Sequence, residues 1–477
     1  MELFNWQQET MTRFKDSPEV FLAADMGTGK TRAVIELLRY KYNRERRVVK
    51  TLILAPLSVC ANWPVEFKKY SKIKEQDIIC LSAQSNRKKS LKNFINVHRI
   101  TGIIVMNYEF MIANDVLKLL DDWGVEYLVC DESHRLKSPQ AKVSKSAFYI
   151  AQKTTDRILL TGTPYLNSAV DIYSQYKILD LGATFGKHVG LFKSMYMKSI
   201  PFKIAGRSFN KFEDKDDTKD IIAQKMAPKC IRVKLDDCVD LPPLIEEDMF
   251  CDMSNEQQKV YTEVKKDCVS FMESHDVNDP IVANMAMTKL LRLQQIVSGF
   301  CKTESGTEVE FKDVPRLDLL CDLLADMTVE HKVIVWCCFK RNYKMISERL
   351  TKMGISHSLL TGEQNAREKQ ESIESFTKGE TKVLLSNPQS GGVGINLVES
   401  CRSIYYSRDF NLGNFEQSKA RNYRAGSQAH SKVVHVQIIT PKTVDEQTVE
   451  ALRNKRNIAH ELMNMIKGET NDGFVRS

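Results

Sequence analysis

An α/β fold with two parallel sheets, each covered by helices on both faces, is the class this sequence predicts. Three observations predict it. Short β-rich runs alternate with amphipathic helical segments. The runs are apolar almost throughout, as strands buried on both faces require. The pattern also occurs twice, with a different stretch between. The first set is VFLAAD (20–25), TLILAP (51–56), DIIC (77–80), GIIVMN (102–107), YLVCDE (127–132) and RILLTGT (157–163), with helix-like stretches at Thr31–Tyr42 and Asn62–Tyr70. The second is KVIVWCCF (332–339), TKVLLSN (381–387), SIYYSR (403–408) and KVVHVQIIT (432–440). Residues 165–312 are richer in Lys, Met and Asp and read as helical. They include the polar FNKFEDKDDTKD (209–220), a Pro-Pro break at 242–243, and KTESGTEVEF (302–311), which suits a hairpin. The expected division is 1–240, with a helical protrusion near 165–230, and 241–477, with a helical insertion near 250–312 and C-terminal helices near 443–470.

Composition narrows the class. The chain has 477 residues, 42% hydrophobic and 27% charged, which allows two large domains or about three smaller ones. A disordered or collagen-like chain is excluded. No apolar run approaches the ~18 residues that cross a bilayer. The start, MELFNWQQETMTRF, lacks the basic and apolar regions of a secretory signal. None of the twelve cysteines forms CxxC, so neither a zinc ribbon nor a secreted disulfide framework is expected, and reduced thiols in an intracellular protein are. A net charge of +8 fits a polyanionic partner without establishing one.

The strongest local signal is ADMGTGKT (24–31), which follows an apolar run and opens a helical one. Gly27 and Gly29 let backbone N–H groups come close to phosphates, with Thr28 between them. Lys30 would reach the β- and γ-phosphates, and Thr31 would ligate Mg²⁺. A phosphate loop needs a carboxylate at a neighbouring strand end, and YLVCDESH (127–134) offers Asp131 for Mg²⁺ and Glu132 to orient or deprotonate water. His134 reads as a structural residue. Thr161, Gly162 and Thr163 could hydrogen-bond the DESH loop. In the second half stand SGGVGINL (390–397) and QSKARNYRAG (417–426), and Arg421 and Arg424, three apart, are expected on one helix face. Aimed at a γ-phosphate, they would act as arginine fingers.

In this order the motifs resemble helicase superfamily two, and more narrowly the Swi/Snf-type family of double-stranded DNA translocases. The resemblance covers nearly the whole chain. Leu3 to Gln7 resembles the adenine-contacting glutamine motif. LILAPLSVCANWPVEFKKY (52–70) resembles the family's "PLS…NW…EF" run, IIVMNYEFM (104–112) its next motif, and DESHRLKSPQAKVSKS (131–146), LTGTPYLNSAVDIYSQYKIL (160–179) and IRVKLDDCVDLPPL (231–244) those that follow. Departures are SRDFNLGN (407–414), which lacks the family's Trp and Pro, and RAGSQ, where Gln428 falls one place late and takes no role. The glycine and arginine segments also suit a strand-separating helicase; the "PLS…NW" run and the long middle favour duplex tracking.

The resemblance implies two RecA-like lobes with helical protrusions and ATP in their cleft. Gln7, Gly27, Thr28, Gly29, Lys30, Thr31 and Gly394 would contact the nucleotide, Thr31 and Asp131 the Mg²⁺, and Lys30, Asp131, Glu132, Arg421 and Arg424 would catalyse. Ser58, Asn62, Trp63, Asn107, Lys137, Thr361, Gly362, Ser390 and Gly391 fall where the family touches DNA. Trp63 and Tyr108 suit a core equally well. The expected protein is a monomeric DNA-dependent ATPase acting on double-stranded DNA, with no membrane association. It would be a minimal single-motor member of a viral or prokaryotic kind, cytoplasmic or nucleoid-associated, or nuclear if eukaryotic.

Overall fold

The structure, a computed structural model, describes residues 2–162, 168–204, 207–238, 240–274, 280–303, 306–388 and 395–453. The chain divides into two compact units: one up to Lys203 and over Ser208–Asp240, the other over Ile204–Arg207 and from Leu241 onward.

The first unit is built on a seven-stranded sheet of β1 (Glu19–Ala24), β2 (Thr51–Ala55), β3 (Ile78–Cys80), β4 (Ile103–Asn107), β5 (Tyr127–Asp131), β6 (Asp156–Thr161) and β9 (Cys230–Val233). Its order is β3-β4-β2-β5-β6-β1-β9, and every pair is parallel. Alternate residues of each strand feed two different cores, the signature of a sheet covered on both faces. Phe21, Leu52, Leu54, Leu128 and Leu159 pack on one side with helices Asn114–Trp123, Lys142–Ala151 and Ala169–Asp180. Val20, Leu22, Ile53, Val129 and Leu160 pack on the other with helices Lys30–Glu45 and Asn62–Tyr70. Near-complete burial leaves little room for polar residues in these strands, which is why they read so clearly.

The stretch expected to be helical is mixed. β7 (Met197–Ile204) and β8 (Arg207–Asp214) form a two-stranded sheet. Pro201 masked the first of these, since proline argues against a strand except at an edge, where a two-stranded ribbon can hold it. Half of FNKFEDKDDTKD is therefore strand, and helix Thr218–Met226 follows.

The second unit carries a six-stranded parallel sheet of β10 (Leu244–Phe250), β13 (Val333–Trp336), β14 (His357–Leu360), β15 (Val383–Ser386), β16 (Arg402–Tyr405) and β17 (Val433–Ile439), ordered β10-β17-β16-β13-β15-β14. β11 (Phe300–Lys302) and β12 (Glu308–Glu310) pair antiparallel, the hairpin its glycine suggested. Helices Asn255–Ser274 and Pro280–Val297 fill the insertion before it. At the C-terminal side the described helix is Val444–Arg453; residues 454–477 lie outside the described residues. Among the described residues no helix is long and apolar enough to cross a membrane.

Candidate active site

The phosphate loop leaves β1 at Ala24, between β6 and β9 in the sheet. Gly27 and Gly29 have φ of 82° and 83°, which a side chain resists. A Cβ at Gly29 would also stand 2.7 Å from Gln7 Nε2, so a side chain there would displace the glutamine. The loop is held from three sides. Trp6 Nε1 donates to the Thr28 carbonyl at 3.1 Å, and Gln7 Nε2 to that of Gly29 at 3.0 Å. Thr28 Oγ1 donates to the Asp25 carbonyl at 2.8 Å. Asp25 pairs with Arg232 at 2.8 Å and accepts from the Leu235 N–H. Lys30 Nζ donates to the carbonyls of Ala24 (2.8 Å) and Asp25 (3.2 Å). Helix Lys30–Glu45 starts without a side-chain cap, so its first N–H groups suit an anion.

Gln7 also supports the loop. It is buried, its Oε1 accepts from the Phe4 N–H at 3.0 Å, and its Nε2 holds Gly29. Here it fixes the loop.

Two strands away, β5 ends at Asp131 and Glu132, both buried. Asp131 Oδ2 accepts from Trp63 Nε1 at 3.1 Å, its Oδ1 from the Glu132 N–H at 3.0 Å, and its carbonyl from the Tyr108 hydroxyl at 2.7 Å. Burial, then the Glu132 charge, push the Asp131 carboxyl far above the usual range; Lys30 and the Trp63 N–H pull it back. Glu132 adopts a left-handed backbone with φ of 51°, and its Oε2 lies 3.3 Å from His134 Nδ1. The same nitrogen is 3.3 Å from Thr161 Oγ1 at the end of β6. Next to it, a Cβ on Gly162 would meet the Ala24 carbonyl at 3.5 Å, so the end of β6 abuts the phosphate loop. Sequence reasoning linked the Thr161 segment to the DESH loop, and these contacts join them. It did not anticipate Ser133, whose hydroxyl donates to Gln175 Oε1 at 2.7 Å. Among the described residues no group of three or more His, Cys, Asp and Glu side chains gathers as for a metal ion.

Residues assigned to nucleic acid are placed variously. Trp63 is a correction: it is fully buried, and its indole supports Asp131. An amphipathic helix hides its apolar stripe, and Trp63 and Phe67 form that stripe on helix Asn62–Tyr70. Tyr108 is core as well. Asn107 is buried, bound by Arg87 and Glu109. Ser58 lies in the short helix Leu57–Cys60, Asn62 opens the next one, and Lys137 is half-buried after the DESH turn. Thr361 follows β14, its N–H held by Gln364, and Gly362 is exposed. Ser390, Gly391 and Gly394, like Thr163, lie outside the described residues.

In the second unit the arginines correct a second expectation. The helix stops at Lys419, and Arg421 and Arg424 stand in successive turns, not on a helix face. The Arg421 carbonyl accepts from the Leu397 N–H at 3.0 Å and its Nη1 donates to the Ile395 carbonyl at 3.2 Å, so both its backbone and its side chain are tied to the segment 395–397. Gly426, with φ of 109°, keeps the chain out of helix beyond.

The SNF2-related domain matches residues 4–300, and the helicase conserved C-terminal domain matches residues 315–426. Nuclear protein STH1/NPS1 of Saccharomyces cerevisiae is 24% identical over 485 residues, covering 95% of this chain and 34% of its own length. An uncharacterized ATP-dependent helicase, MG018 of Mycoplasma genitalium, is 24% identical over 441 residues, covering 92% of this chain and 39% of its own. The chain thus spans little more than a third of either relative. Among solved structures, the Sulfolobus solfataricus SWI2/SNF2 ATPase core in complex with dsDNA is 24% identical across 98% of this chain and 94% of that one, with a TM-score of 0.42. With a phosphate loop, a paired-acid strand end and a family match over more than half its length, the chain belongs to the SNF2-related family of helicase superfamily two.

Proposed function

We propose that this protein hydrolyses ATP and spends the free energy on moving along double-stranded DNA, remodelling DNA structures or protein–DNA complexes. One observation carries the chemistry: the phosphate loop and the Asp131–Glu132 pair sit at the same edge of one sheet, on strands separated only by β6. That edge, at the carboxyl ends of parallel strands, is where such sheets bind ligands.

The loop N–H groups and Lys30 would grip the phosphates, Lys30 exchanging its two backbone carbonyls for phosphate oxygens. Glu132 would orient and deprotonate the attacking water. Arg421 and Arg424 would stabilise the charge that develops in the transition state. A hydroxyl and a crowded buried carboxylate are hard oxygen donors, so Thr31 and Asp131 fit Mg²⁺, which would neutralise phosphate charge there. Duplex DNA as the track is supported by family membership and the +8 net charge.

ATPase rate with duplex DNA, single-stranded DNA and RNA tests the reading. Duplex should stimulate most, and the protein should displace a third strand from a triplex only with ATP. Preference for RNA, or indifference to duplex, would overturn it.

A further inference from the structure

We propose that Asn422 and His435 are positioning residues for ATP hydrolysis, their buried hydrogen bond pinning the turn of Arg421 and Arg424 to the second sheet. The inference rests on the role given above to those arginines.

Because the arginines stand beyond the last regular helical turn, where only scattered backbone bonds such as Tyr423 N–H to the Lys419 carbonyl remain, their placement also depends on other anchors. Three described anchors lead to another loop: the Leu397 and Ile395 bonds to Arg421, and His430 Nε2 to the Val398 carbonyl at 2.7 Å. Asn422, between the two arginines, reaches a strand instead. Its Oδ1 lies 3.0 Å from His435 Nε2. His435 sits within β17, opposite Glu246 of β10 and Ser403 of β16. Both side chains are fully buried, and the Tyr405 ring packs edge-on at 6.0 Å.

The pair is costly. With the ring donating through Nε2, His435 Nδ1 and Asn422 Nδ2 have no hydrogen-bond partner among the described residues. Packing alone would be served better by apolar side chains. A buried polar bond of this kind selects one arrangement where an apolar contact tolerates several. Its geometry is also indifferent to pH. Burial, then the Lys419 ammonium, push the imidazole down to about 3, so the ring stays neutral. Lys419 is itself paired with Glu246 at 2.7 Å.

The test compares His435→Phe, Asn422→Ala, the double variant and His435→Gln in the full chain. Measured are DNA-stimulated kcat, affinity for a fluorescent non-hydrolysable ATP analogue, and Tm. Expected is a fall in kcat on the order of 10- to 100-fold for either single change, with analogue affinity little altered. The double variant, which leaves no orphaned partner, should lose no more than the singles. His435→Gln, whose amide can still donate to Asn422, should recover most of the rate. Unchanged kcat with a lowered Tm would reduce the pair to packing and overturn the proposal. Lys30→Ala is the control: undiminished ATPase there would defeat the reading of the site itself, whatever the pair does.

Discussion

Glu132 pays for its place in backbone strain, since φ of 51° is uncommon for a residue other than glycine. Ending β5 so abruptly separates its surroundings from those of Asp131, one residue before: His134 for the one, Trp63 for the other. The two acids can therefore differ in role. Glu132→Gln keeps the shape and removes the base. It should leave ATP binding intact and lower turnover by roughly 10²- to 10⁴-fold, read as kcat against nucleotide affinity. Trp63→Phe separates the two meanings of that tryptophan. A support for Asp131 predicts lower kcat with unchanged duplex affinity; a weakened duplex affinity would restore Trp63 to the DNA surface. The phosphate loop and acid pair were legible because each is a contiguous run after an apolar strand. The Trp63–Asp131 bond spans 68 residues, and no local pattern announces it.

Among the elements, the central strands were legible for the reason they are stable: burial on both faces excludes polar residues. β9, four residues long, and β10, with its run of Glu246, Glu247 and Asp248, carry no such pattern, and neighbouring strands made them strands. The helix expected under Arg421 and Arg424 failed because three-residue spacing is necessary for a shared face but not sufficient for a helix. Equally hidden was the tie between β16, β17 and the helices on them. Asp445, at the start of helix Val444–Arg453, bonds Arg408 at 2.9 Å and also Arg316, and all three are buried. Arg316 and Arg408 both donate to the Ile438 carbonyl. Asp445→Asn strands two guanidinium groups with half their partner. It should destabilise the second unit by about 3–5 kcal/mol in chemical denaturation.

For the whole molecule, pH and salt give separable readouts. His435 is held neutral in the fold but titrates near 6.5 when unfolded. Below that value the unfolded chain gains a proton the native one refuses, so stability falls as pH drops from about 6.5 toward 3, by up to about 1.4 kcal/mol per unit. Above 6.5 this contribution is complete and flat. Denaturation midpoints of the parent and His435→Gln should therefore converge between pH 7 and pH 5. Duplex affinity should fall linearly with salt on logarithmic axes, because phosphate contacts release counterions. A flat response would show that the +8 charge has no part in holding the track.

Asp25 has a consequence beyond the phosphate loop. It is fastened to Arg232 and Leu235, just before the chain leaves the first unit, and the Pro243 carbonyl is fastened to Val433 at the start of β17. The connecting stretch is thus a leash knotted at both ends, stiffened near one knot by Pro242 and Pro243. Each unit therefore grips its own side of the connection, the first beside its phosphate loop and the second at the strand that bears His435.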